Sequence, residues 1–270
     1  MINKVYINLG LIGSPLNHTF SPFIHNYFLY KSSLCGGYTC YDISIEELEE
    51  TIMMFKKFHF KGVNVTVPYK QEVMQFCSEL DITAKSIGAV NTLHFTDNGI
   101  IGHNTDIFGF YMMLETSGIN TLNKKVLLLG AGGASRAVIP YLLMNKPEYF
   151  LIANRTLEKA EDLSLLYEDD IDICRPDDLQ GLEFDIVINT TSMGVNGEPY
   201  TDYGFKIKEA AVDMIYRPQM TSFLSLYSKD NIKLVNGLAM LIYQAAGSFN
   251  IWTGCDIIPD MEYFYKAVYK

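Results

Sequence analysis

Basic residues are scarce in this chain of 270 residues, which has 21 Lys and Arg against 31 Asp and Glu and so carries a formal net charge of −10. Nucleic-acid binding needs basic residues gathered on one face, but here they are scattered, and the densest pairs are Lys56 with Lys57 and Lys124 with Lys125. Only 19% of the residues are charged and 49% are apolar, which excludes a disordered chain and provides for a core. We expect one or two folded domains and no nucleic-acid partner.

Cysteines are also few, five in all, with irregular spacing and no Cys-x-x-Cys pair. An odd number in a chain of this length argues against a disulfide framework and predicts reduced thiols. The histidines and cysteines show no metal-ligand spacing, and the sequence has no Gly-x-Ser-x-Gly nucleophile turn. The first six residues lack the pattern of a secretion signal, so we expect a cytoplasmic protein without a bound metal.

Charge is absent from residues 234–255, a stretch long enough to span a bilayer. Asn236, Gln244, Ser248 and Asn250 interrupt it, and polar side chains are costly in lipid. The stretch therefore predicts a buried helix that carries a few polar site groups, and no membrane association.

The rest of the chain alternates between short apolar β-rich runs and segments with helical spacing, which is typical of an α/β protein with a parallel, doubly wound sheet. A helix is expected to begin at Ser44, with Glu47 completing a capping box. Its buried stripe is expected to consist of Ile45, Leu48, Ile52 and Phe55. In the second half, strands are predicted at 126–129, 149–153, 185–189, 211–215 and 232–235.

The clearest motif is Gly130-Ala-Gly-Gly-Ala-Ser-Arg136, which follows an apolar strand and opens a helix. This is the context of a dinucleotide-binding turn, in which the helix N-terminus offers free N–H groups and partial positive charge to a pyrophosphate. Ser135 stands at the place of the third glycine, and its small side chain still allows helix and strand to approach. A purely structural glycine turn is the alternative.

The residues after the next strand bear on the choice of nucleotide. NAD-binding domains place Asp or Glu there to bind the ribose 2′-hydroxyl, whereas this chain has Asn154-Arg155-Thr156 and then Lys159. A carboxylate would repel a 2′-phosphate, and a guanidinium would pair with it, so the sequence favours NADP over NAD. Alternatively, Arg155 and Lys159 are ordinary exposed bases, although a helix N-terminus disfavours cations.

Further polar side chains lie at the ends of predicted elements. One cluster is Asn64-Val-Thr66-Val-Pro68-Tyr-Lys70, and another comprises Gly88-Ala-Val-Asn91-Thr92 and Gly102-His-Asn104-Thr105-Asp106. Taken singly, each could be turn chemistry or, for Lys70, an ordinary surface lysine.

Together and in this order, these motifs resemble the shikimate dehydrogenase family over nearly the whole chain. The resemblance also rests on Gly13-Ser-Pro-Leu-Asn-His-Thr19-Phe-Ser21-Pro22, Asn189-Thr-Thr-Ser-Met-Gly194, Asp213-Met-Ile-Tyr216 and Asn236-Gly-Leu-Ala-Met-Leu-Ile-Tyr-Gln-Ala245. It implies an N-terminal α/β substrate domain, residues 1–106 with 237–270, and a Rossmann-like NADP-binding domain, residues 107–236, with a cleft between them. It also implies NADP-dependent reduction of 3-dehydroshikimate to shikimate, a step of aromatic amino-acid biosynthesis. We expect a monomer or a homodimer.

The resemblance implies roles for individual residues as well. Lys70 and Asp106 would form the catalytic pair. The substrate, with its carboxylate on Thr19 and Ser21, would be bound by Thr19, Ser21, Thr66, Asn91, Asp106, Tyr216 and Gln244. The cofactor site would be lined by Gly130, Ala131, Gly132, Gly133, Ala134, Asn154, Arg155, Thr156, Lys159, Met214 and Gly237.

These residue types suit the implied reaction. Reduction of a ketone needs a hydride at carbon, which nicotinamide supplies, and a proton at oxygen, which an ammonium group beside the carbonyl can donate. Lys70 can act in this way if Asp106 orients it. Three of the five histidines could be mistaken for catalytic bases and are instead expected to serve packing or turns, namely His18, His25 and His103.

One departure from the family pattern leaves the substrate open. The family commonly has Ser-x-Ser where this chain has Thr19-Phe20-Ser21, and the added methyl group would lie beside the part of the ring in which quinate differs from shikimate. An NAD-dependent quinate/shikimate dehydrogenase is thus one alternative, and a non-catalytic ligand-sensing relative is another, since fold alone does not fix function. The presence of both Lys70 and Asp106 favours an enzyme.

Overall fold

The computed structural model describes residues 6–17, 19–167 and 171–270, so residues 1–5 and His18, considered above, lie outside the described part. The described residues form two compact units. The first comprises those up to Gly109 together with Ile242–Pro259, and the second comprises Phe110–Leu241 together with Asp260–Lys270. Each unit contains one six-stranded sheet.

The first unit is built on a mixed sheet. Its elements are β1 (Ile7–Gly13), α1 (Ser21–Lys31), β2 (Gly36–Asp42), α2 (Leu48–Lys57), β3 (Gly62–Val65), β4 (Glu79–Leu80), α3 (Ile82–Ile87), β5 (Thr92–Thr96), β6 (Gly99–His103) and the first turn of α4 (Asp106–Thr116). The strand order is β2-β1-β3-β5-β6-β4. Strand β1 is parallel to both β2 and β3, and β5 is antiparallel to both β3 and β6.

The second unit is built on a fully parallel sheet. Its elements are β7 (Lys125–Leu129), α5 (Gly133–Met144), β8 (Tyr149–Ala153), α6 (Leu157–Tyr167), β9 (Asp172–Cys174), β10 (Glu183–Asn189), β11 (Lys206–Asp213), α7 (Ser222–Leu226), β12 (Lys233–Asn236), α8 (Leu238–Thr253), which from Ile242 onward belongs to the first unit, and α9 (Met261–Val268). The strand order is β12-β11-β10-β7-β8-β9. From β7 the strands are added on one side as β8 and β9, and the chain then returns to add β10, β11 and β12 on the other side of β7. This is the doubly wound arrangement expected from the sequence, and its reversal of strand order lies between β7 and β10.

The prediction for the helix after Ser44 is partly wrong. Helix α2 begins only at Leu48, and of the expected capping box the structure has one half, the 2.8 Å bond from the Ser44 N–H to the Glu47 carboxylate. Leu48, Ile52 and Phe55 are buried, but the side chain of Ile45 is 49% exposed. Ile45 lies before the helix, so the helical period does not place it on the buried face.

The C-terminal residues differ from the expected division of the chain. Residues 260–270, expected in the first domain, pack with the second unit, where the Tyr269 hydroxyl donates a hydrogen bond to the carbonyl of Tyr216. Across residues 6–17, 19–167 and 171–270, no helix has both the length and the apolar character that crossing a membrane would require.

Candidate active site

Lys70 and Asp106 lie in direct contact in the first unit. The Lys70 Nζ donates to Asp106 Oδ2 at 2.7 Å, and the Asn91 amide donates to Asp106 Oδ1 at 2.7 Å. The side chains of Lys70 and Asp106 are 29% and 14% exposed, respectively. Three residues predicted from separate motifs therefore meet, and the ammonium group remains accessible to a ligand.

Local backbone contacts bring these three side chains together. Lys70 follows β3 on a loop, and its backbone carbonyl accepts a hydrogen bond from the Val90 N–H at 2.7 Å. Val90 is next to Asn91, which directly precedes β5. Asp106 is the first residue of α4, where its N–H donates to the Asn104 side chain at 3.0 Å. Loop, strand and helix ends are thus fixed to one another by hydrogen bonds rather than by side-chain packing alone.

Thr19, Ser21 and Thr66 also lie in the first unit. The Thr19 hydroxyl donates to Ser21 Oγ at 3.1 Å and accepts from the Ser21 N–H at 3.2 Å. Ser21 is the first residue of α1, whose first turn holds no acidic residue, so the polarity of this helix end favours an anion. The Thr66 side chain packs closely on Gly13, where an added Cβ would lie 2.3 Å from Thr66 Cγ2.

Gln244 and Tyr216 belong to different units. Gln244 lies on α8 in the first unit, and its backbone carbonyl accepts a hydrogen bond from the Ser248 hydroxyl at 3.1 Å. Tyr216 lies in the second unit, where burial raises the pKa of its phenol. Met214 and Gly237 lie in the same unit and touch through their backbones, since a Cβ at Gly237 would come within 2.1 Å of the Met214 carbonyl oxygen.

The second unit contains a cavity of about 580 Å³ at the carboxyl ends of β7, β8 and β10. Ligands of doubly wound sheets bind at this reversal of strand order. Seven of the predicted cofactor residues line it, namely Gly130, Ala131, Gly132, Asn154, Arg155, Thr156 and Lys159. Gly133 and Ala134 follow directly in the first turn of α5.

Side-chain hydrogen bonds shape the glycine-rich loop. The Asn154 amide oxygen accepts from the Ala131 N–H at 3.1 Å, and Ser135 Oγ accepts from the Gly132 N–H at 3.1 Å while donating to the Gly130 carbonyl at 2.9 Å. Ser135 thus supports the turn in addition to being small. The first-turn N–H groups of Gly133 and Ala134 have no intrahelical acceptor and are the donors available to a phosphate.

The charged groups at the cavity suit a phosphorylated dinucleotide. Arg155 and Lys159 are exposed and line it, so both can reach an anionic ligand. Glu198 also lines it, but its carboxylate accepts hydrogen bonds from the Gly194 and Asn196 N–H groups at 2.8 and 3.1 Å. A hydrogen bond from its own backbone N–H, followed by the bonds from Gly194 and Asn196, lowers the pKa of Glu198. These bonds engage its carboxylate in the loop itself.

Several lining residues were not assigned a role from the sequence. They are Leu129, Ala153, Pro176, Thr190, Thr191, Ser192, Met193, Glu198, Tyr200 and Tyr203. The segment from Thr190 to Met193 follows β10 directly, so the rule that ligands bind at the carboxyl ends of parallel strands would have found it. The two tyrosines come from a long connection that carries no comparable signal.

Two histidines hold the kind of position expected of them. His25 is fully buried and stacks on Tyr38 with ring centroids 4.2 Å apart, and burial lowers its pKa to about 3. The His103 Nδ1 lies 2.8 Å from the carboxylate of Asp81. Burial alone would raise the pKa of Asp81, but hydrogen bonds, chiefly with His103, lower it.

Comparison with known proteins identifies the family. Three family models match the chain: "Shikimate dehydrogenase substrate binding domain" at residues 11–93, "Shikimate / quinate 5-dehydrogenase" at 114–195 and "Shikimate 5'-dehydrogenase C-terminal domain" at 237–257. A protein of Methanococcus maripaludis named "Shikimate dehydrogenase (NADP(+))" is 39% identical over 99% of each chain. The chain belongs to the shikimate dehydrogenase family.

Solved structures of shikimate dehydrogenases share the fold. The enzyme from Aquifex aeolicus is 34% identical, with a TM-score of 0.89 over 100% of both chains. The enzyme from Thermus thermophilus, solved in complex with NADP(H) and shikimate, is 31% identical, with a TM-score of 0.86 over 97% of this chain and 98% of its own. The family and the α/β fold expected from the sequence are both confirmed.

Proposed function

We propose that this chain is an NADP-dependent shikimate dehydrogenase that catalyses the reversible reduction of 3-dehydroshikimate to shikimate in the cytoplasm, as a monomer or a homodimer. The observation that carries the proposal is the contact between Lys70 and Asp106, because a non-catalytic relative has no need of this pair. The first unit would bind the substrate and the second NADP. The names of the relatives, which specify shikimate and NADP, support this assignment.

Lys70 would hold and move the proton of the reaction. Its ammonium group stays partly exposed while Asp106 orients it, so it can donate to the carbonyl oxygen of a bound ketone and stabilise the negative charge that develops there. In the reverse direction the neutral amine would take the proton from the hydroxyl of shikimate. Asp106 and Asn91 would keep the amine aligned in both directions.

Other side chains of the first unit would orient the substrate. Thr19 and Ser21 present hydroxyls at the N-terminus of α1, a place that suits a carboxylate. Thr66 and Gln244, and Tyr216 of the second unit, would bind the carboxylate or the ring hydroxyls. The Thr19 methyl group keeps quinate as a second candidate substrate, which agrees with the family model that names both acids.

The cavity of the second unit fits NADP. NADPH, when bound, supplies the hydride. The first turn of α5 would hold the pyrophosphate through the free N–H groups of Gly133 and Ala134. Arg155 would pair with the 2′-phosphate, and the lack of a carboxylate at the end of β8 removes the usual partner of the NAD ribose. Met214 and Gly237 would complete the cofactor site.

A two-by-two assay tests the function. Purified protein is mixed with shikimate or quinate and with NADP or NAD, and absorbance of the reduced nucleotide is followed. We expect kcat/KM to be highest for shikimate with NADP. A higher value for quinate with NAD would support the alternative dehydrogenase, and no turnover with any pair would support a ligand sensor.

Replacing Arg155 tests the cofactor assignment. Arg155→Ala should raise the Kd of NADPH by about tenfold to a hundredfold, because a hydrogen bond to a charged group contributes about 1.5–3 kcal/mol. The Kd of NADH should change little, since NADH lacks the 2′-phosphate. Fluorescence titration of both nucleotides measures this, with Arg155→Lys as the variant that keeps the charge. Equal weakening of both nucleotides would contradict the assignment.

A further inference from the structure

The side-chain amide of Asn91 is fixed from both ends. Its oxygen accepts from the Thr105 N–H at 2.9 Å and from the Thr92 hydroxyl at 2.8 Å. Its nitrogen donates to Asp106 at 2.7 Å and to the Thr105 hydroxyl at 3.1 Å. A turn of the amide by 180° would set its oxygen against the carboxylate and its nitrogen against an N–H donor, so these contacts admit one orientation only.

The Thr92 hydroxyl is itself held by a residue distant in sequence. Thr92 and Ser248 are both fully buried, and their hydroxyl oxygens lie 2.7 Å apart. A hydroxyl has a single proton, and Thr92 gives its proton to Asn91, so toward Ser248 it acts as an acceptor. Ser248 has one proton for three neighbouring acceptors, namely Thr92, the backbone carbonyl of Gln244 at 3.1 Å and the Thr105 hydroxyl at 3.1 Å. The Asn64 amide nitrogen also donates to the Thr92 oxygen, at 3.2 Å. The lone pairs of Thr92 thus face Ser248 and Asn64, which directs its proton toward the Asn91 oxygen.

Asn64 fixes Ser248 in turn. The Tyr38 hydroxyl donates to the Asn64 amide oxygen at 2.8 Å. The amide nitrogen is left to donate to Ser248 at 2.9 Å, to the Asn91 backbone carbonyl at 3.1 Å and to the Thr92 hydroxyl at 3.2 Å. Buried polar groups are costly unless each has partners. This network gives each of these groups a partner and connects Asn64, Ser248 and Thr92 through Asn91 to the carboxylate of Asp106.

We propose that Thr92 and Ser248 are positioning residues, whose buried hydroxyls fix the Asn91 amide and thereby hold the Asp106 carboxylate in line with Lys70. This inference rests on the proposed function, in which Lys70 and Asp106 carry out proton transfer. The side-chain hydrogen bonds of Thr92 and Ser248 go to Asn64, Asn91, Thr105, Gln244 and each other, and not to Lys70 or Asp106. Their effect on the reaction passes through Asn91.

Isosteric replacement of Thr92 tests the proposal. Thr92→Val keeps the shape of the side chain and removes the hydroxyl, so we expect kcat with shikimate to fall about fivefold to tenfold, the effect of one lost hydrogen bond. The KM for NADP should not change. Thr92→Ser restores the hydroxyl and should restore most of kcat. Rates are expressed per NADPH-binding site, counted by titration, so that a loss of folded protein does not lower kcat.

Combination with Asp106→Asn shows through which group Thr92 acts. If the hydroxyl works through the carboxylate, Thr92→Val should lower kcat far less in the Asp106→Asn background than in the wild type, because effects within one network are not additive. An equal fold-change in both backgrounds would overturn the proposal. A Thr92→Val enzyme with wild-type kcat would also overturn the proposal, given that Asp106→Asn alone lowers kcat. A fully active Asp106→Asn enzyme would instead overturn the proposed catalytic pair.

A second variant and a control on the same helix complete the test. Ser248→Ala should lower kcat in the same direction as Thr92→Val, and it serves in its place if the valine variant does not fold. Thr253→Val removes a hydroxyl of α8 that donates to the Phe249 carbonyl at 2.7 Å and accepts from the Cys255 N–H at 3.3 Å, contacts local to the end of the helix. It should keep wild-type kcat. A loss of kcat in Thr253→Val as large as that in Ser248→Ala would assign the effect to α8 as a whole and overturn the proposal.

Discussion

The side chain of Lys70 is accessible and yet fixed in direction, a combination that an ordinary surface lysine lacks. Its ammonium group points at one oxygen of Asp106, while Asn91 holds the other oxygen. An exposed ion pair contributes little to stability, so stability alone does not account for three polar side chains in this arrangement. The arrangement instead suits a group that must present a proton in one direction.

Replacement of Lys70 by alanine tests this role. We expect Lys70→Ala to lower kcat by about 10²- to 10⁴-fold, the usual contribution of general acid–base catalysis. The Kd of NADPH should be unchanged, because the residues proposed to bind NADPH belong to the second unit. Stopped-flow or steady-state rates and a fluorescence titration measure the two quantities. Lys85→Ala, which removes an exposed lysine from α3, is the control and should keep full activity. Near-normal kcat in Lys70→Ala would refute the role.

At the level of elements, features set by a short stretch of sequence could be predicted. The strand, turn and helix from Lys125 to Met144 and the residues that follow β8 were found in this way, because strand ends and glycine turns are local properties. Helices α7 and α9 were not predicted, although Thr221 and Asp260 cap their N-termini. Both helices are short, so their apolar period gives little signal.

The network behind Asn91 could not be predicted, because it joins parts of the chain far apart in sequence. Thr92 and Ser248 are 156 residues apart, and Tyr38 reaches Asn64 only because β1 lies between β2 and β3 in the sheet. Strand order and the packing of α8 decide these contacts. Neither is written in a local pattern of polar and apolar residues.

The connection from β11 to α7 offers a stability test. The Thr221 hydroxyl donates to the buried carboxylate of Asp213 at 2.5 Å and accepts from the Leu224 N–H at 3.2 Å as the N-cap of α7. Burial raises the pKa of Asp213 and hydrogen bonds partly offset that rise. Thr221→Val removes both bonds and should lower the free energy of unfolding by about 2–3 kcal/mol.

Urea unfolding followed by far-UV circular dichroism measures this change. Thr221→Ser is the matched control, because it keeps the hydroxyl and loses only a methyl group. Its midpoint should lie close to that of the wild type. If the valine and serine variants unfold at the same urea concentration, the hydroxyl contributes nothing to stability.

For the molecule as a whole, two histidines whose pKa is lowered by burial are expected to make the stability of the first unit depend on pH. Burial is the main cause that lowers the pKa of His25 to about 3 and that of His94 to about 4, and both residues belong to the first unit. In an unfolded chain a histidine titrates near 6.5. Between that pH and the lowered pKa values, the unfolded chain binds protons that the folded unit does not. The contribution of these two histidines to the free energy of unfolding is therefore fully present above pH 6.5 and is lost as the pH falls toward their lowered pKa values.

The single tryptophan of the chain reports on this unit. Trp252 is buried, and its indole N–H donates to the Leu93 carbonyl at 2.9 Å, so its fluorescence follows unfolding of the first unit. We expect the urea concentration at the midpoint of unfolding, followed by Trp252 fluorescence, to decrease when the pH is lowered from 7.5 to 5.5. His25→Phe keeps an aromatic ring beside Tyr38 and removes one titrating group, so the loss should shrink by about 1 kcal/mol.

His59→Asn is the control for this experiment, since it removes an exposed histidine of the same unit and should leave the pH-dependent loss as in the wild type. A His25→Phe protein with the full loss would mean that His25 binds its proton equally in the folded and unfolded states. That result would be incompatible with a fully desolvated imidazole, because a charge buried without a compensating partner must destabilise the folded state. The pH dependence thus tests whether the aromatic packing around His25 excludes water as completely as its position in the core requires.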